Sequence, residues 1–265
     1  MCVIAISRGS FQGGKLLAER LAGELGFRCI DREVIINKAA EAGSDHDELR
    51  AALTRPPSLF DRWITHRKYT YLALLQAALA EEVAEGNVVY HGYAGHILLE
   101  GAGPVFRVRV IATEDFRVHI AQRELELDRE RALAHIRQAD QERARWTRAL
   151  YGVDWNDPSH YDMVINLGHL FDIDEATGVL AATVRGRKCL EFTEARRGAM
   201  RDFAIASRVR AALACNPPTE ALHVEVKSLN GVVSIKAVLD DDVQIKEVER
   251  VAHETPGVKD VRLRY

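Results

Sequence analysis

The chain has 265 residues, 47% apolar and 28% charged, with 36 Lys plus Arg against 39 acidic side chains and a formal net charge of −3. That length suits one large domain, or a medium one with a small one, in an ordinary globular protein. The balance of charge predicts no broad nucleic-acid surface, and Cys2, Cys29, Cys189 and Cys215 are scattered without a Cys-x-x-Cys pair or zinc spacing. Reduced thiols, the lack of a signal segment, and an apolar stretch at Leu72–Ala80 too short to span a bilayer predict a cytoplasmic location.

Val3-Ile4-Ala5-Ile6 is an apolar, largely β-branched run that predicts a buried strand, and Leu16–Leu25 has helical apolar periodicity. Between them lies Ser7-Arg8-Gly9-Ser10-Phe11-Gln12-Gly13-Gly14-Lys15. The spacing Gly9-x4-Gly14-Lys15 fits a phosphate-cradling loop: glycines let backbone N–H groups approach phosphate oxygens, and the lysine reaches the outer phosphates. Gly9, Ser10, Gly13, Gly14 and Lys15 are therefore candidate nucleotide ligands. Such loops place Ser or Thr after the lysine to meet a metal ion, and here Leu16 and Leu17 follow. Either Mg²⁺ is held by water and substrate phosphates, or the loop binds anions without transferring them.

Gly26 ends the first helix, and Phe27–Ile30 predicts a second strand running into Asp31-Arg32-Glu33 and a helix over Val34–Ala42. A short helical piece is expected over Asp45–Thr54, broken at Arg55-Pro56-Pro57-Ser58, before one long helix from Phe60 to Glu85. That helix could pack in the core or across a dimer interface, so an oligomer remains open. Asn87–His91 predicts a third strand leading into Gly92-Tyr93-Ala94-Gly95. Ligands of parallel α/β sheets sit at the carboxyl ends of strands, which puts Asp31 and Arg32 near the first loop. Position alone leaves Asp31 as either a helix cap or a substrate contact. His91 reads as a packed histidine, since no carboxylate or nucleophile pairs with it in the sequence.

Val105–Ala112 predicts the fourth strand, and Thr113-Glu114-Asp115 opens a helix. From Arg117 to Arg148 the segment reads as helical, with eight arginines and six acidic residues. Arg137, Asp140 and Arg143 stand at three-residue steps, within about a third of the helix circumference, and could present two guanidinium groups to phosphate together. Tyr151–Pro158 is a turn-rich connector, Tyr161–Asn166 the fifth strand, and Ile173–Val184 a further helix. Strands alternating with helices predict a five-stranded parallel α/β sheet covered on both faces.

After about residue 190 the composition changes. Glu194–Ala214 is a charged, alanine-rich helix pattern broken at Asn216-Pro217-Pro218. Leu222, Val224 and Val226 alternate with polar residues, as do Val233, Ile235, Ala237 and Leu239, and Asn230-Gly231 between them is a hairpin signal. Val243–His253 is helical and Val258–Tyr265 a last strand. This predicts a separate small domain with an antiparallel sheet and no catalytic constellation.

With those residues laid out, 1 to about 190 resembles the cytidylate-kinase-like family of nucleoside monophosphate kinases, which have a P-loop NTPase fold. The matching pieces are Ile6-Ser7-Arg8, Asp31-Arg32-Glu33, Gly92, Arg137-x-x-Asp140-x-x-Arg143, and Asp154-Trp155-x-Asp157-Pro158-x-x-Tyr161-Asp162-x-Val164-Ile165-Asn166. Residues from about 200 to 265 look like a BON domain, through the Asn-Gly hairpin and Pro256-Gly257-Val258-Lys259-Asp260-Val261. The division this implies is 1–190 for the kinase-like domain and 191–265 for a linker helix with the BON-like domain. The resemblance implies ATP and Mg²⁺ as cofactors and CMP or a related monophosphate as acceptor. It further implies a donor site at Gly9–Lys15, an acceptor site at Asp31, Arg32 and Gly92, and a lid of Arg137, Asp140 and Arg143. A BON-like domain implies a membrane, lipid or protein partner. The family usually carries arginine where this chain has Tyr93, removing an acceptor-phosphate contact. Two further readings stay open: a nucleotide-sensing adaptor built on a degenerate kinase fold, and a membrane-associated scaffold.

Overall fold

The computed structural model describes residues 2–11, 13–42, 62–92, 94–169, 171–187, 193–239 and 242–264. The helical piece expected at 45–54, the proline break after it, and Tyr93 lie outside the described residues. Five strands, β1 (Val3–Arg8), β2 (Arg28–Asp31), β3 (Val88–Gly92), β4 (Val105–Ala112) and β5 (Met163–Leu167), form one sheet in the order β2-β3-β1-β4-β5. Every pairing in it is parallel. The central strand is buried on both faces, as is β3 beside it, and its sequence is accordingly unbroken apolar from Val3 to Ile6.

Helices α1 (Gly14–Leu25), α2 (Arg32–Glu41) and α3 (Arg62–Val83) follow β1 and β2, and a single turn α4 (Gly95–Leu98) follows β3. Helix α7 (Ile173–Gly186), after β5, lies with α1 on one face, where Leu17, Leu21 and Leu180 pack on Ile4, Ile6 and Val108. The opposite face is covered by α2 and α3, with Ile35, Leu74 and Leu79 packed around Tyr90. The sheet therefore has the expected helical layer on each side.

The stretch expected as one helix from Arg117 to Arg148 is two, α5 (Glu114–Leu125) and α6 (Arg129–Tyr151). Glu126 turns to φ 54° and the Asp128 side chain accepts from the Arg131 N–H, so the local cap outcompetes continuation of the helix. The two helices share their own small core of Val118, Ala121, Ala132 and Ile136, onto which Phe11 of the glycine loop packs.

The C-terminal part comprises α8 (Glu194–Cys215), β6 (Glu225–Leu229), β7 (Val232–Lys236), α9 (Asp242–Glu254) and β8 (Asp260–Arg264). β6 and β7 form the expected antiparallel hairpin about Asn230-Gly231, but β8 joins β7 in parallel, so the sheet is mixed rather than antiparallel. The crossover through α9 is the reason, since a helical connection returns the chain to the strand end where it started. Asp202 of α8, buried, accepts from Ser228 Oγ at 2.7 Å, Asn230 N at 2.7 Å and Gly231 N at 2.9 Å, and so pins the turn to the helix.

Helix α8 does more than connect. Ala206, Val209 and Leu213 pack beneath the small sheet with Val226, Val233 and Ile235, while Met200 and Ala211 join the core built around α3. Among the described residues no helix is long and apolar enough to cross a membrane.

Asp202→Ala leaves two backbone N–H groups at the hairpin without their acceptor, which should cost about 2–4 kcal/mol. Thermal unfolding should show the midpoint lowered by several degrees, with Asp202→Asn intermediate; an unchanged midpoint would contradict this account of the turn.

Candidate functional site

The glycine loop joins the carboxyl end of β1 to α1. Gly13 caps α1 in the left-handed region at φ 66° and without a side-chain hydrogen bond to the helix end, and a Cβ there would stand 3.3 Å from both Leu167 and Ile173. A Cβ on Gly14 would stand 2.6 Å from Arg8 Cβ, so only glycine lets the strand and the helix start pass this closely. Lys15 lies in the first turn of α1, its side chain 64% exposed and its ammonium 3.8 Å from Glu19. Leu17 is turned into the core and Leu16 faces outward. No oxygen ligand stands at either position after the lysine, and no group of three or more His, Cys, Asp or Glu suited to a metal occurs among the described residues. The residues fit Mg²⁺ only as an ion carried by phosphate oxygens and water.

The loop is fastened to α5 and α6 by charge-assisted hydrogen bonds. Arg143, buried, donates from Nη1 to the Arg8 carbonyl at 2.8 Å and from Nη2 to Ser10 Oγ at 3.0 Å. Arg117 donates from Nε to the Ser10 carbonyl at 3.1 Å and grips Asp140 with both terminal nitrogens, at 2.7 and 2.8 Å. In a trans peptide the N–H points away from the C=O. Holding the Arg8 and Ser10 carbonyls on the guanidinium side therefore turns the Gly9 and Phe11 amides to the opposite side. Arg137 stands apart from this lock, exposed, with Nη2 3.7 Å from Glu114.

The connector after α6 braces the same corner. The Trp155 ring has the Arg109 guanidinium 4.8 Å and the Arg143 guanidinium 5.1 Å from its centroid. Arg109 also donates to the Asn156 carbonyl and Oδ1, both at 2.6 Å. Tyr161 OH donates to the Trp155 carbonyl at 2.8 Å and lies 3.4 Å from Ser7 Oγ at the base of the loop. Asp157 caps the turn Pro158–His160, and Asp162 holds Arg107 with both carboxylate oxygens, at 3.1 and 2.9 Å. The Trp-Asp-Pro-Tyr-Asp stretch is thus a brace for the loop and for Arg143.

At the same sheet edge, the register pairs Ser7 with Gly92 and Asp31 with His91. Asp31 caps α2, its Oδ1 accepting from Glu33 N at 2.9 Å and Val34 N at 3.1 Å. Arg32 is half-buried beside Gly92: a Cβ on Gly92 would press on the Tyr90 hydroxyl and come 3.3 Å from Arg32 Cβ. The structure thus brings Asp31, Arg32 and Gly92 together. Arg117, Arg109 and Trp155 are members of the corner that sequence reasoning did not single out as site residues; two are indistinguishable in sequence from surface arginines, and Trp155 carried only the family pattern.

Two buried histidines lie near this edge. Burial, with the positive charge of Arg8, pushes His91 down to about 4. Burial, with His160 nearby, pushes His96 down to about 3, and neither of its ring nitrogens has a hydrogen-bond partner among the described residues. Both are neutral in the fold, whereas an unfolded histidine protonates near 6.5. The unfolded state therefore binds more protons as the pH falls below 6.5, and stability falls with it. Each histidine should cost about 2 kcal/mol between pH 7.5 and 5, at roughly 1.4 kcal/mol per pH unit below its unfolded value. Urea unfolding at the two pH values should show His96→Leu losing about that share of the decline; an unaltered decline would be contrary.

The parallel order β2-β3-β1-β4-β5 with a glycine loop at the end of β1 defines a P-loop, kinase-type nucleotide-binding fold. The cytidylate kinase-like family matches residues 3–169, and the chain belongs to that family. A BON domain matches residues 201–264. No curated protein matches the chain. Among solved structures, an uncharacterised protein of Eubacterium ventriosum is similar at 19% identity and a TM-score of 0.55, over 70% of this chain and 99% of that one, which shows the fold. Shikimate kinase from Bacteroides thetaiotaomicron aligns at 14% identity and a TM-score of 0.40, over 70% and 99% of the two chains.

Proposed function

We propose that the chain is a cytoplasmic, ATP-dependent nucleoside monophosphate kinase that transfers the γ-phosphoryl group to CMP or a related monophosphate, with residues 1–190 as the kinase unit and 191–265 as the appended BON unit. The observation that carries the reading is the loop whose carbonyl side is held by Arg117 and Arg143 while Lys15 stands free of the core in the first turn of α1. Phosphoryl transfer asks a protein mainly for alignment and charge neutralisation, and this corner is built for both.

In this reading the amides of Gly9, Ser10, Gly13 and Gly14 take the donor phosphates and Lys15 meets the outer oxygens. Arg137, leaving Glu114, neutralises charge on the transferring group, while Arg143 fixes the loop from its carbonyl side and Asp140 orients Arg117. Asp31, through its cap, sets the start of α2, and Arg32, Gly92 and Tyr93 border the acceptor. Mg²⁺, held by phosphate oxygens and water rather than by a protein carboxylate, would supply neutralisation of the outer phosphates. The sensor reading has one observation in its favour, the outward Leu16 where a metal-binding hydroxyl is expected.

ADP formed from ATP, Mg²⁺ and a panel of monophosphates tests the proposal. Lys15→Ala should abolish turnover. Arg137→Ala should lower kcat about 10- to 100-fold, the worth of one charge-assisted bond, with the melting temperature unchanged. Arg143→Ala should lower both activity and melting temperature, because its guanidinium holds the loop. No turnover with any monophosphate, alongside ATP-dependent thermal stabilisation, would favour the sensor.

A further inference from the structure

Between the two units lies a cavity of about 1080 Å³ remote in sequence from the glycine loop. One wall is Leu72 of α3 with Ile97 and Leu98 of α4; the facing wall is Leu222, Val224 and Val238 from the BON part. Tyr151, the last residue of the helix that carries Arg143, lines it as well. Volume and aliphatic walls are those of a small-molecule site rather than of a packing defect.

Arg210 of α8 lines this cavity and is half-buried. Its guanidinium donates from Nη1 to Gln76 Oε1 and from Nη2 to the Val226 carbonyl at 3.4 Å, both neutral acceptors. No Asp or Glu among the described residues pairs with it, and burial, without an offsetting carboxylate, holds its pKa below the usual arginine value. A guanidinium has five N–H donors, and a cation partly withdrawn from water without a counter-charge carries a desolvation cost that an anion entering here would offset. Glu220 and Glu225 also line the cavity, against only Arg210 and Lys236 as cations. That balance disfavours a polyanion such as a nucleoside triphosphate and suits one negative charge on an apolar body.

We propose that this cavity binds a singly charged aliphatic anion, an acyl-chain carboxylate whose head group pairs with Arg210 and whose chain lies between α3 and the BON sheet. The site does not depend on the kinase reading, since none of its residues belongs to the glycine loop or its arginine lock.

The probe is decanoate, titrated calorimetrically into the full chain below its aggregation concentration, with decanol as the uncharged comparator. Saturable binding of one decanoate is expected, at least about tenfold tighter than decanol. Arg210→Gln should bring decanoate down to the level of decanol and leave decanol unchanged. Should Arg210→Gln fail to fold, Val238→Glu serves instead: Val238 is 85% exposed, so a carboxylate is tolerated there, and placed at the wall it should weaken decanoate about fivefold or more without affecting the melting temperature. Non-saturable heats, equal binding of decanol, or full decanoate affinity in either folded variant would overturn the proposal.

Discussion

Two backbone carbonyls at the end of β1, those of Arg8 and Ser10, are held by guanidinium groups of α5 and α6, and the rest of the corner follows from that grip. A glycine-rich turn has many accessible conformations, so an unfastened loop would spend much of its time with its amides misdirected. Arg143 and Arg117 remove that freedom through charge-assisted bonds, the stronger kind of hydrogen bond in a partly dry site. Trp155 packs against Arg143 and Arg109, and Tyr161 ties the Trp155 backbone toward Ser7. Together these residues frame the loop and fix its position.

The same arginine cannot grip the loop and sweep freely over a ligand. Arg143 is buried and committed, while Arg137, two turns earlier on α6, is exposed and weakly paired across 3.7 Å. The helix therefore differs along its length, with a buried anchor toward the connector and an exposed charge farther out. Helix α8 divides its labour around its circumference instead, one face in the BON core and one against α3. Because Tyr151 at the end of α6 and Arg210 on α8 line one cavity, the two divisions meet there. Whatever fills that space touches both the appended unit and the helix that fastens the loop.

The parallel sheet was legible because its central strand must be apolar on both faces and its connections must be helical, and Val3–Ile6 shows the first condition directly. The loop was legible for a similar reason: Gly14 has no room for a side chain against Arg8, so the constraint is written in residue identity. Other features leave no such mark. Apolar periodicity runs through Leu125 and Leu127 as if one helix continued, and only the capping competition at Asp128 breaks it. Arg117 is one of eight arginines between 117 and 148, and nothing local says which of them faces the loop. The direction of β8 depends on where α9 delivers the chain, a tertiary matter. His96 and Arg210 matter through burial, which the identity of a single residue in a turn or a helix does not announce.

The central claim is that backbone amides of the loop, oriented by guanidinium groups behind them, are what receives phosphate. Amide proton and nitrogen shifts recorded while ATP is titrated into labelled protein test it most directly. The account predicts that the Gly9, Gly13 and Gly14 amides move first and furthest, together with the side-chain Nε–H of Arg143, and that Arg143→Ala blunts those movements. Saturable shifts confined to other parts of the chain, with these amides still, would contradict it.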